Sequence, residues 1–129
     1  MKRIDQESDL IQVVLIEDEP VTAKLMRLEL EKHNFKVHCF LSAKEGLSFI
    51  EHHHIDIVLT DIFIPDLDGV NLIKIIRLVN KEIPIIAMSS QPETKYISVS
   101  SNAIAAGANS FFPKPVNKKA LLEKIVSLI

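Results

Sequence analysis

Three carboxylates lie close together in the segment IDIVLTDIFIPDLDG, which covers residues 55–69. Asp61 ends an apolar run, and Asp66 and Asp68 follow shortly after it. Acids of this kind can bind a metal, attack as nucleophiles or cap a helix. The positions of the other polar residues along the chain must decide between these roles.

Other short apolar runs also end in polar residues: Glu17, Asp18 and Glu19 after IQVVLI, Ser89 and Ser90 after IPIIAM, and Lys114 within FFPKP. The runs are rich in β-branched residues, which favours strands. Open α/β sheets place their ligands just beyond the carboxyl ends of the strands. If these runs are neighbouring parallel strands, we expect carboxylates, a hydroxyl and an ammonium group to meet at one edge of a sheet.

Such a group of side chains suits a narrow range of chemistry. Several carboxylates form an all-oxygen site with excess negative charge, which favours a hard cation such as Mg²⁺. A nearby lysine and serine suit phosphoryl transfer, in which a carboxylate attacks in line while cations neutralise the phosphoryl oxygens. The sequence has three glycines and no G-x-x-x-x-G-K motif, so side chains and a metal must hold the phosphate.

The chain alternates between two hydrophobic periods. Strands are predicted at residues 11–16, 35–40, 55–60, 83–88 and 109–112. The first helix is predicted to bury a stripe of Val21, Leu25 and Leu28, and the third to turn Leu72, Ile75 and Val79 inward and Lys74, Arg77 and Lys81 outward. The second helix is expected to start at Ser42, the fourth to run roughly from Glu93 to Ala106, and the fifth to begin near Asn117.

Strict strand–helix alternation predicts the α/β class, because each return between parallel strands needs a crossover helix. The middle strands are continuous apolar runs, as expected when helices cover both faces of the sheet. Strand two contributes no polar residue before Ser42, which fits an edge position in the order 2-1-3-4-5. We therefore predict a three-layer, doubly wound fold with a five-stranded parallel sheet and five helices.

Composition limits the function classes. The 129 residues are 47% hydrophobic and 25% charged, with a formal net charge of −2, which argues against direct nucleic-acid binding. The single cysteine, Cys39, cannot form an internal disulfide and is predicted to be a buried thiol. No signal peptide or apolar run of about 18 residues is present, so neither secretion nor a membrane span is predicted and we expect a cytoplasmic protein.

Four segments, VVLIEDEP, IDIVLTDIFIPDLDG, IIAMSS and GANSFFPKP, occur in the order and spacing of a known family. The chain resembles a two-component response-regulator receiver domain of the CheY-like group, which has a flavodoxin-like fold. The resemblance covers Ile11 to Ile129. It implies an N-terminal extension at residues 1–10 and a receiver domain at residues 11–129.

The resemblance implies that Asp61 is the phosphoacceptor of a phosphorelay. Glu17 and Asp18 match the acidic pair that binds Mg²⁺, with Asp18 as a direct ligand and Glu17 acting directly or through water. Asp61 itself and the backbone carbonyl of Phe63 match the remaining protein ligands. Two of these residues depart from the common pattern: Glu17 replaces the more frequent aspartate, and Phe63 is bulky. We expect Phe63, together with Gln91, to control water access and hence the lifetime of the phosphate.

The resemblance also implies which residues change position on phosphorylation. Ser89 matches the hydroxyl that turns toward the phosphate, Phe111 matches the aromatic switch position, and Lys114 matches the phosphate-binding lysine, with a cis bond to Pro115. The implied donor is a sensor histidine kinase or a histidine phosphotransfer protein. The implied target surface is the fourth helix, fifth strand and fifth helix. The protein would catalyse its own phosphorylation and dephosphorylation without being a turnover enzyme.

Several polar residues have plainer interpretations. Asp68 is predicted to cap the third helix, Asp66 to lie solvated in a turn, and Glu19 to lie at the start of the first helix. The histidines at residues 52–54 are interpreted as a polar loop at a helix end rather than a metal site. Asn109 and Ser110 lie where acidic residues are common in receivers of the winged-helix type, so a dimer held by salt bridges is not expected.

Four functional hypotheses remain open. The chain ends with the fifth helix, which favours a stand-alone receiver or a phosphorelay intermediate. The alternative within the family is a receiver cut from a longer regulator with an output domain. A phosphorylation-independent binding module is disfavoured because Asp61, Lys114 and the acidic pair are all present. A hydrolase of the haloacid-dehalogenase type is disfavoured because such enzymes carry a D-x-D pattern after the first strand. Asp61 instead follows the third strand and is followed by Ile-Phe.

Overall fold

Strands and helices alternate throughout the computed structural model, which describes residues 10–91 and 98–129. The elements are β1 (Ile11–Ile16), α1 (Pro20–Glu31), β2 (Phe35–Phe40), α2 (Ala43–His52), β3 (Ile57–Asp61), α3 (Gly69–Val79), β4 (Ile85–Ser89), α4 (Val99–Ala106), β5 (Ser110–Pro113) and α5 (Lys118–Leu128). None of the helices in these two ranges has the length and apolar character needed to span a lipid bilayer.

The five strands form one parallel sheet in the order β2-β1-β3-β4-β5, as predicted. The last three strands begin and end later than the apolar runs suggested. Ile55 and Ile83 are buried but precede the ladder, because burial alone does not require strand pairing. Asp61 and Ser89 are consequently the last residues of β3 and β4, and Asp61 pairs in register with Met88.

Helices cover both faces of the sheet. Successive residues of β1 point to opposite sides, so Val14 and Ile16 join one apolar cluster while Val13 and Leu15 join the other. The first cluster contains the buried hydrophobic residues of α2, α3 and α4, and the second contains Leu30 of α1 together with Leu121 and Ile125 of α5. All four of these β1 residues are fully buried. This arrangement confirms the three-layer prediction.

The predicted inward faces of two helices are wrong in part. In α1 the stripe of Val21, Leu25 and Leu28 is exposed, and Ala23 and Leu30 are buried instead. Both stripes have helical spacing, so the periodicity could not distinguish them. The exposed stripe is the more apolar of the two. The observed face packs against the sheet, because Leu30 joins the apolar cluster of Val13 and Leu15, and Val37 N donates a hydrogen bond to the Glu31 carboxylate at 3.3 Å.

In α3, Leu72 is buried as predicted, but Val79 is 46% exposed and Ile73 and Ile76 are buried. Arg77, predicted to point outward, is half-buried. The described part of the fourth helix begins at Val99, and the predicted start near Glu93 lies outside the described residues.

Helix starts were predicted better than helix faces. The Ser42 side chain accepts a hydrogen bond from Glu45 N, and the Asn117 side chain accepts one from Ala120 N at 2.9 Å. Glu19 caps α1 through Val21 N, and Asp68 caps α3 through Val70 N. These caps satisfy backbone donors that lack partners in the first helical turn.

Candidate functional site

The carboxyl ends of β1, β3, β4 and β5 meet at one edge of the sheet, and each brings a polar residue with it. Glu17 and Asp18 follow β1, Asp61 ends β3, Ser89 ends β4 and Lys114 follows β5. Glu17, Asp61 and Ser89 are buried, with exposed fractions of 1%, 7% and 1%. The fold thus brings together the groups that the sequence predicted to meet.

Three carboxylates form the acidic part of the site. One oxygen from each of Glu17, Asp18 and Asp61 lies within 4.8 Å of the other two. Glu17 and Asp61 are buried and Asp18 is partly exposed. Among the residues that the structure describes, three carboxylates meet the ammonium group of Lys114 alone, which leaves an excess of negative charge. An all-oxygen donor set with this charge fits a hard divalent cation such as Mg²⁺.

Lys114 connects two of these acids. Its Nζ atom donates a hydrogen bond to Asp61 Oδ2 at 2.8 Å and a second one to Glu17 Oε1. Burial lowers the pKa of Lys114, but the hydrogen bonds to Asp61 and Glu17 outweigh it and raise the pKa above its usual value. Lys114 therefore carries a positive charge between the two carboxylates at neutral pH.

The pKa of Glu17 is also raised, but here burial outweighs the hydrogen bonds. Its burial raises the pKa of the carboxyl group more than hydrogen bonds from Lys114 and the Glu19 backbone lower it. The two shifts are compatible because Lys114 contacts two carboxylates, whereas Glu17 shares that one ammonium with Asp61. The burial of the Glu17 carboxyl group is thus only partly offset by its hydrogen bonds within the protein.

The Asp61 side chain is held from two sides. Its Oδ2 atom accepts from Lys114, and its Oδ1 atom accepts from the backbone N–H of Phe63 at 3.2 Å. Both contacts fix the direction of the carboxylate. Asp61 is therefore an oriented oxygen donor, although it is buried.

The predicted switch residues border this arrangement. Ser89 Oγ accepts a hydrogen bond from Gln91 N at 2.9 Å. Phe111 is half-buried and packs against the apolar cluster on the α2–α4 side of the sheet. The bond between Lys114 and Pro115 is cis, as predicted.

An open groove lies beside the acids. Its volume is about 560 Å³, and its lining residues are Asp18, Ile62, Phe63, Ile64, Pro65 and Asp68. The Phe63 side chain is 49% exposed although it is large and apolar. The groove thus has an apolar wall directly next to the acidic cluster.

Asp66 lies exposed in a turn, as predicted, but it also has hydrogen-bond partners that the prediction did not include. Its carboxylate is exposed, but it accepts hydrogen bonds from Ala43 N, Lys44 N and Ser42 Oγ, each at 3.0 Å. The two backbone hydrogen bonds, first from Ala43 and then from Lys44, hold the pKa of Asp66 below its usual value. This cap was not predicted from the sequence because its partners, at the start of α2, lie 22 to 24 positions earlier in the chain.

Two further predictions concern residues away from the site. His52 is the last residue of α2 and His53 its C-cap, so these histidines lie at a helix end as predicted. Each Nδ1 atom contacts the backbone carbonyl four residues earlier, and His53 stacks on Phe49. Within the described ranges, the acidic cluster is the one group with spacing suited to a metal. Cys39 is half-buried rather than fully buried, and burial raises the pKa of its thiol.

Comparison with known proteins gives a consistent result. Residues 13–126 match the family model of the response regulator receiver domain. The cell cycle transcriptional regulator CtrA of Caulobacter vibrioides is 27% identical over 119 residues, which cover 92% of this chain and 50% of that protein. The two-component response regulator ORR1 of Oryza sativa subsp. japonica is 35% identical over 120 residues, which cover 84% of this chain and 51% of ORR1. The chain thus spans about half the length of these curated relatives.

Solved structures show the same fold. A CheY-like receiver domain protein from Methanospirillum hungatei JF-1 superposes with a TM-score of 0.83 at 27% identity, over 92% of each chain. The receiver domain of the sensor histidine kinase PA1611 from Pseudomonas aeruginosa PAO1, solved with a magnesium ion coordinated in its active site cleft, gives a TM-score of 0.82. That match has 23% identity over 92% of this chain and 97% of the other, and it shows likeness of fold alone.

Proposed function

The chain belongs to the response regulator receiver domain family, and we propose that it accepts a phosphoryl group on Asp61 from a phosphohistidine donor. Receivers of this family are modules of two-component phosphorelay signalling rather than turnover enzymes.

One observation carries the assignment of Asp61. Its carboxylate lies at the end of β3 with Lys114 Nζ 2.8 Å from one oxygen and the Glu17 and Asp18 carboxylates close by. In the transfer, an Asp61 oxygen forms a bond to phosphorus while the bond from phosphorus to the histidine nitrogen breaks. The electron pair of that bond stays with the departing imidazole. The product is an acyl phosphate on Asp61.

The residues that would hold Mg²⁺ are Asp18 and Asp61 directly, Glu17 directly or through water, and Phe63 through its backbone carbonyl. A bound Mg²⁺ would neutralise charge on the phosphoryl oxygens during transfer. The excess negative charge of the acidic cluster supports this assignment. The magnesium ion of the PA1611 receiver, which has the same fold, is consistent with it.

Lys114 and Ser89 would bind the phosphoryl group on Asp61. The new phosphoryl group brings charge and acceptor oxygens to a place where the Lys114 ammonium already lies against Asp61. Ser89 Oγ, which accepts from Gln91 N in this structure, would turn to donate to the phosphoryl group. Phe111 would then move inward and change the surface of α4, β5 and α5, where a downstream protein would bind.

Phe63 and Gln91 would set how long the signal lasts. Hydrolysis of an acyl phosphate needs a water molecule in line with the bond from phosphorus to the Asp61 oxygen. Phe63 follows Asp61 by two residues and its half-exposed ring borders the groove beside the acids. A large apolar ring at this position would restrict access of water to the phosphate.

Two wider questions stay predictions. We expect this receiver to act as a stand-alone protein. The alternative is a receiver within a longer regulator, because the curated relatives are about twice as long as the matched region. A cytoplasmic location is likewise a prediction.

Incubation with acetyl phosphate and Mg²⁺ followed by intact-mass measurement tests the proposal. Wild type should gain one phosphate, Asp61→Asn should gain none, and the matched control Asp68→Asn, in the same segment, should behave as wild type. The absence of an adduct on wild type would favour a phosphorylation-independent binding module. Rapid turnover of small phosphate esters would favour a hydrolase.

A further inference from the structure

The loop of residues 62–68 carries two backbone groups that matter to the proposed site. Phe63 N–H donates to Asp61 Oδ1, and the Phe63 carbonyl is the expected backbone ligand of the metal. The ends of the loop are fixed, because Ile62 N donates to Met88 O at 2.9 Å and Gly69 N donates to Ile62 O at 2.8 Å. The position of Phe63 therefore depends on what holds the loop between these ends.

Asp66 fastens the middle of the loop to α2. Its Oδ1 atom accepts from Ala43 N, and its Oδ2 atom accepts from Lys44 N and Ser42 Oγ. Ala43 and Lys44 are the first two residues of α2, whose N–H groups have no partner within the helix. Asp66 thus supplies from a distance the capping that a local residue usually gives.

The cap has two features that favour a fixed geometry. A carboxylate at a helix N-terminus is stabilised by the positive end of the helix dipole. Three donors converge on its two oxygens, so the direction of the side chain is determined as well as its distance. Ser42 at the same time caps Glu45 N, so the loop, the helix start and its local cap form one connected unit.

We infer that Asp66 is a positioning residue of the site: it holds the loop of residues 62–68 so that the Phe63 carbonyl is preorganised for Mg²⁺. This inference rests on the proposed function for the identity of the cation and for the Phe63 carbonyl as its ligand. Apolar packing of Ile64, which is 6% exposed, is the competing explanation of what holds the loop. Substitution at Asp66 separates the two, because it leaves Ile64 unchanged.

Two measurements on the unphosphorylated protein test the inference without relying on phosphoryl transfer. Calorimetric titration with Mg²⁺ gives the Kd. Amide hydrogen exchange in metal-free buffer measures how strongly the backbone N–H groups of the loop of residues 62–68 are protected. Asp66→Ala should weaken Mg²⁺ binding roughly tenfold, as loss of a residue that orients a ligand typically does. It should also speed exchange at Phe63 N, which makes no hydrogen bond to Asp66. Asp66→Asn, which keeps one acceptor oxygen, should give a smaller change in both.

Two controls match the substitution in different respects. Asp68→Asn removes a charge from the same loop while keeping a good cap for α3, so it reports the electrostatic effect alone. Asn80→Ala removes a side chain that accepts from Glu82 N and Ile83 N before β4, at the opposite edge of the sheet. It should lower the urea midpoint as Asp66→Ala does and leave the Kd for Mg²⁺ unchanged.

The inference is overturned if Asp66→Ala leaves either the Kd or the Phe63 exchange rate as in wild type, or if either control changes the Kd equally. If Asp66→Ala does not fold, Asp66→Asn decides by the same criteria. A wild type that binds Mg²⁺ but gains no phosphate would contradict the proposed function and leave this inference standing. A phosphorylated wild type with an unchanged Kd in Asp66→Ala would contradict this inference alone.

Discussion

The Arg77 guanidinium donates a hydrogen bond to Asn109 Oδ1 at 2.8 Å, and the same oxygen accepts from Ile85 N at 2.9 Å. Arg77 also donates to the carbonyl oxygens of Gly107 at 3.0 Å and Ile83 at 2.6 Å. One side chain of α3 therefore joins the end of α4 to the starts of β4 and β5. This connection lies at the edge of the sheet opposite the acidic cluster.

We predict that Arg77→Ala lowers the free energy of unfolding by about 1–3 kcal/mol, because it leaves partly buried carbonyl groups without donors. Urea unfolding measures the change. Lys74→Ala, an exposed residue on the same helix, should cost less than about 0.5 kcal/mol. Equal effects of the two substitutions would show that the Arg77 hydrogen bonds do not stabilise the fold.

Gly69 is the position where the loop of residues 62–68 closes. A Cβ atom there would lie 2.4 Å from the backbone oxygen of Ile62 and 2.5 Å from its Cα. Backbone cannot move aside as a side chain can, so Gly69→Ala should cost at least about 2 kcal/mol of unfolding free energy. Gly46→Ala is the comparison, because its Cβ would meet the end of the Ile16 side chain at 2.6 Å. A smaller loss is expected there, and a larger one than for Gly69→Ala would contradict the explanation.

The pH dependence of stability should reveal the Asp66 cap. Hydrogen bonds from Ala43 N and Lys44 N lower the pKa of Asp66 from its ordinary value of 3.8. The stabilisation is therefore present in full above that value and is lost as the pH falls through the lower folded pKa. The difference in unfolding free energy between wild type and Asp66→Asn should be constant above about pH 5 and should shrink below about pH 4. Urea titrations of both proteins across this range measure it, and a difference that persists unchanged at the lowest pH would refute the prediction.

Phosphate lifetime should depend on the side chain at position 63. Phe63→Ala keeps the backbone carbonyl but opens the wall of the groove, so water should reach the acyl phosphate more easily and autodephosphorylation should be faster. Loss of the phosphate mass with time after removal of the donor measures the rate. Leu41→Ala substitutes another exposed apolar residue and should leave the rate unchanged. An unaltered rate in Phe63→Ala would remove this residue from the account of signal lifetime.

Local signals in the sequence predicted most of the fold and the site. The rule that ligands collect at the carboxyl ends of strands placed Asp61, Ser89 and Lys114 together, and the structure brings them to one edge of the sheet. Ser42 and Asp68 were identified as caps because their partners lie two or three residues away. Both rules depend only on neighbouring residues and on strand order, so tertiary detail was not needed.

Interactions between distant residues were the part that sequence could not supply. Asp66 caps a helix whose first residues lie 22 to 24 positions earlier, and Arg77 contacts Gly107 and Asn109, 30 and 32 positions later. Both residues have ordinary local interpretations, as a turn acid and as a basic residue on an outer helix face. Only the packing of the helices against one another shows what these side chains contact.

Chemical trapping of the modified residue tests the central claim most directly. Borohydride reduces an aspartyl phosphate to homoserine, so treatment after incubation with acetyl phosphate and Mg²⁺ marks the acceptor, and tandem mass spectrometry locates it. We predict homoserine at position 61 in wild type and none anywhere in Asp61→Asn. Homoserine at Asp18, Asp66 or Asp68 instead, or no homoserine in a wild type that binds Mg²⁺, would contradict the assignment of Asp61 as the phosphoacceptor.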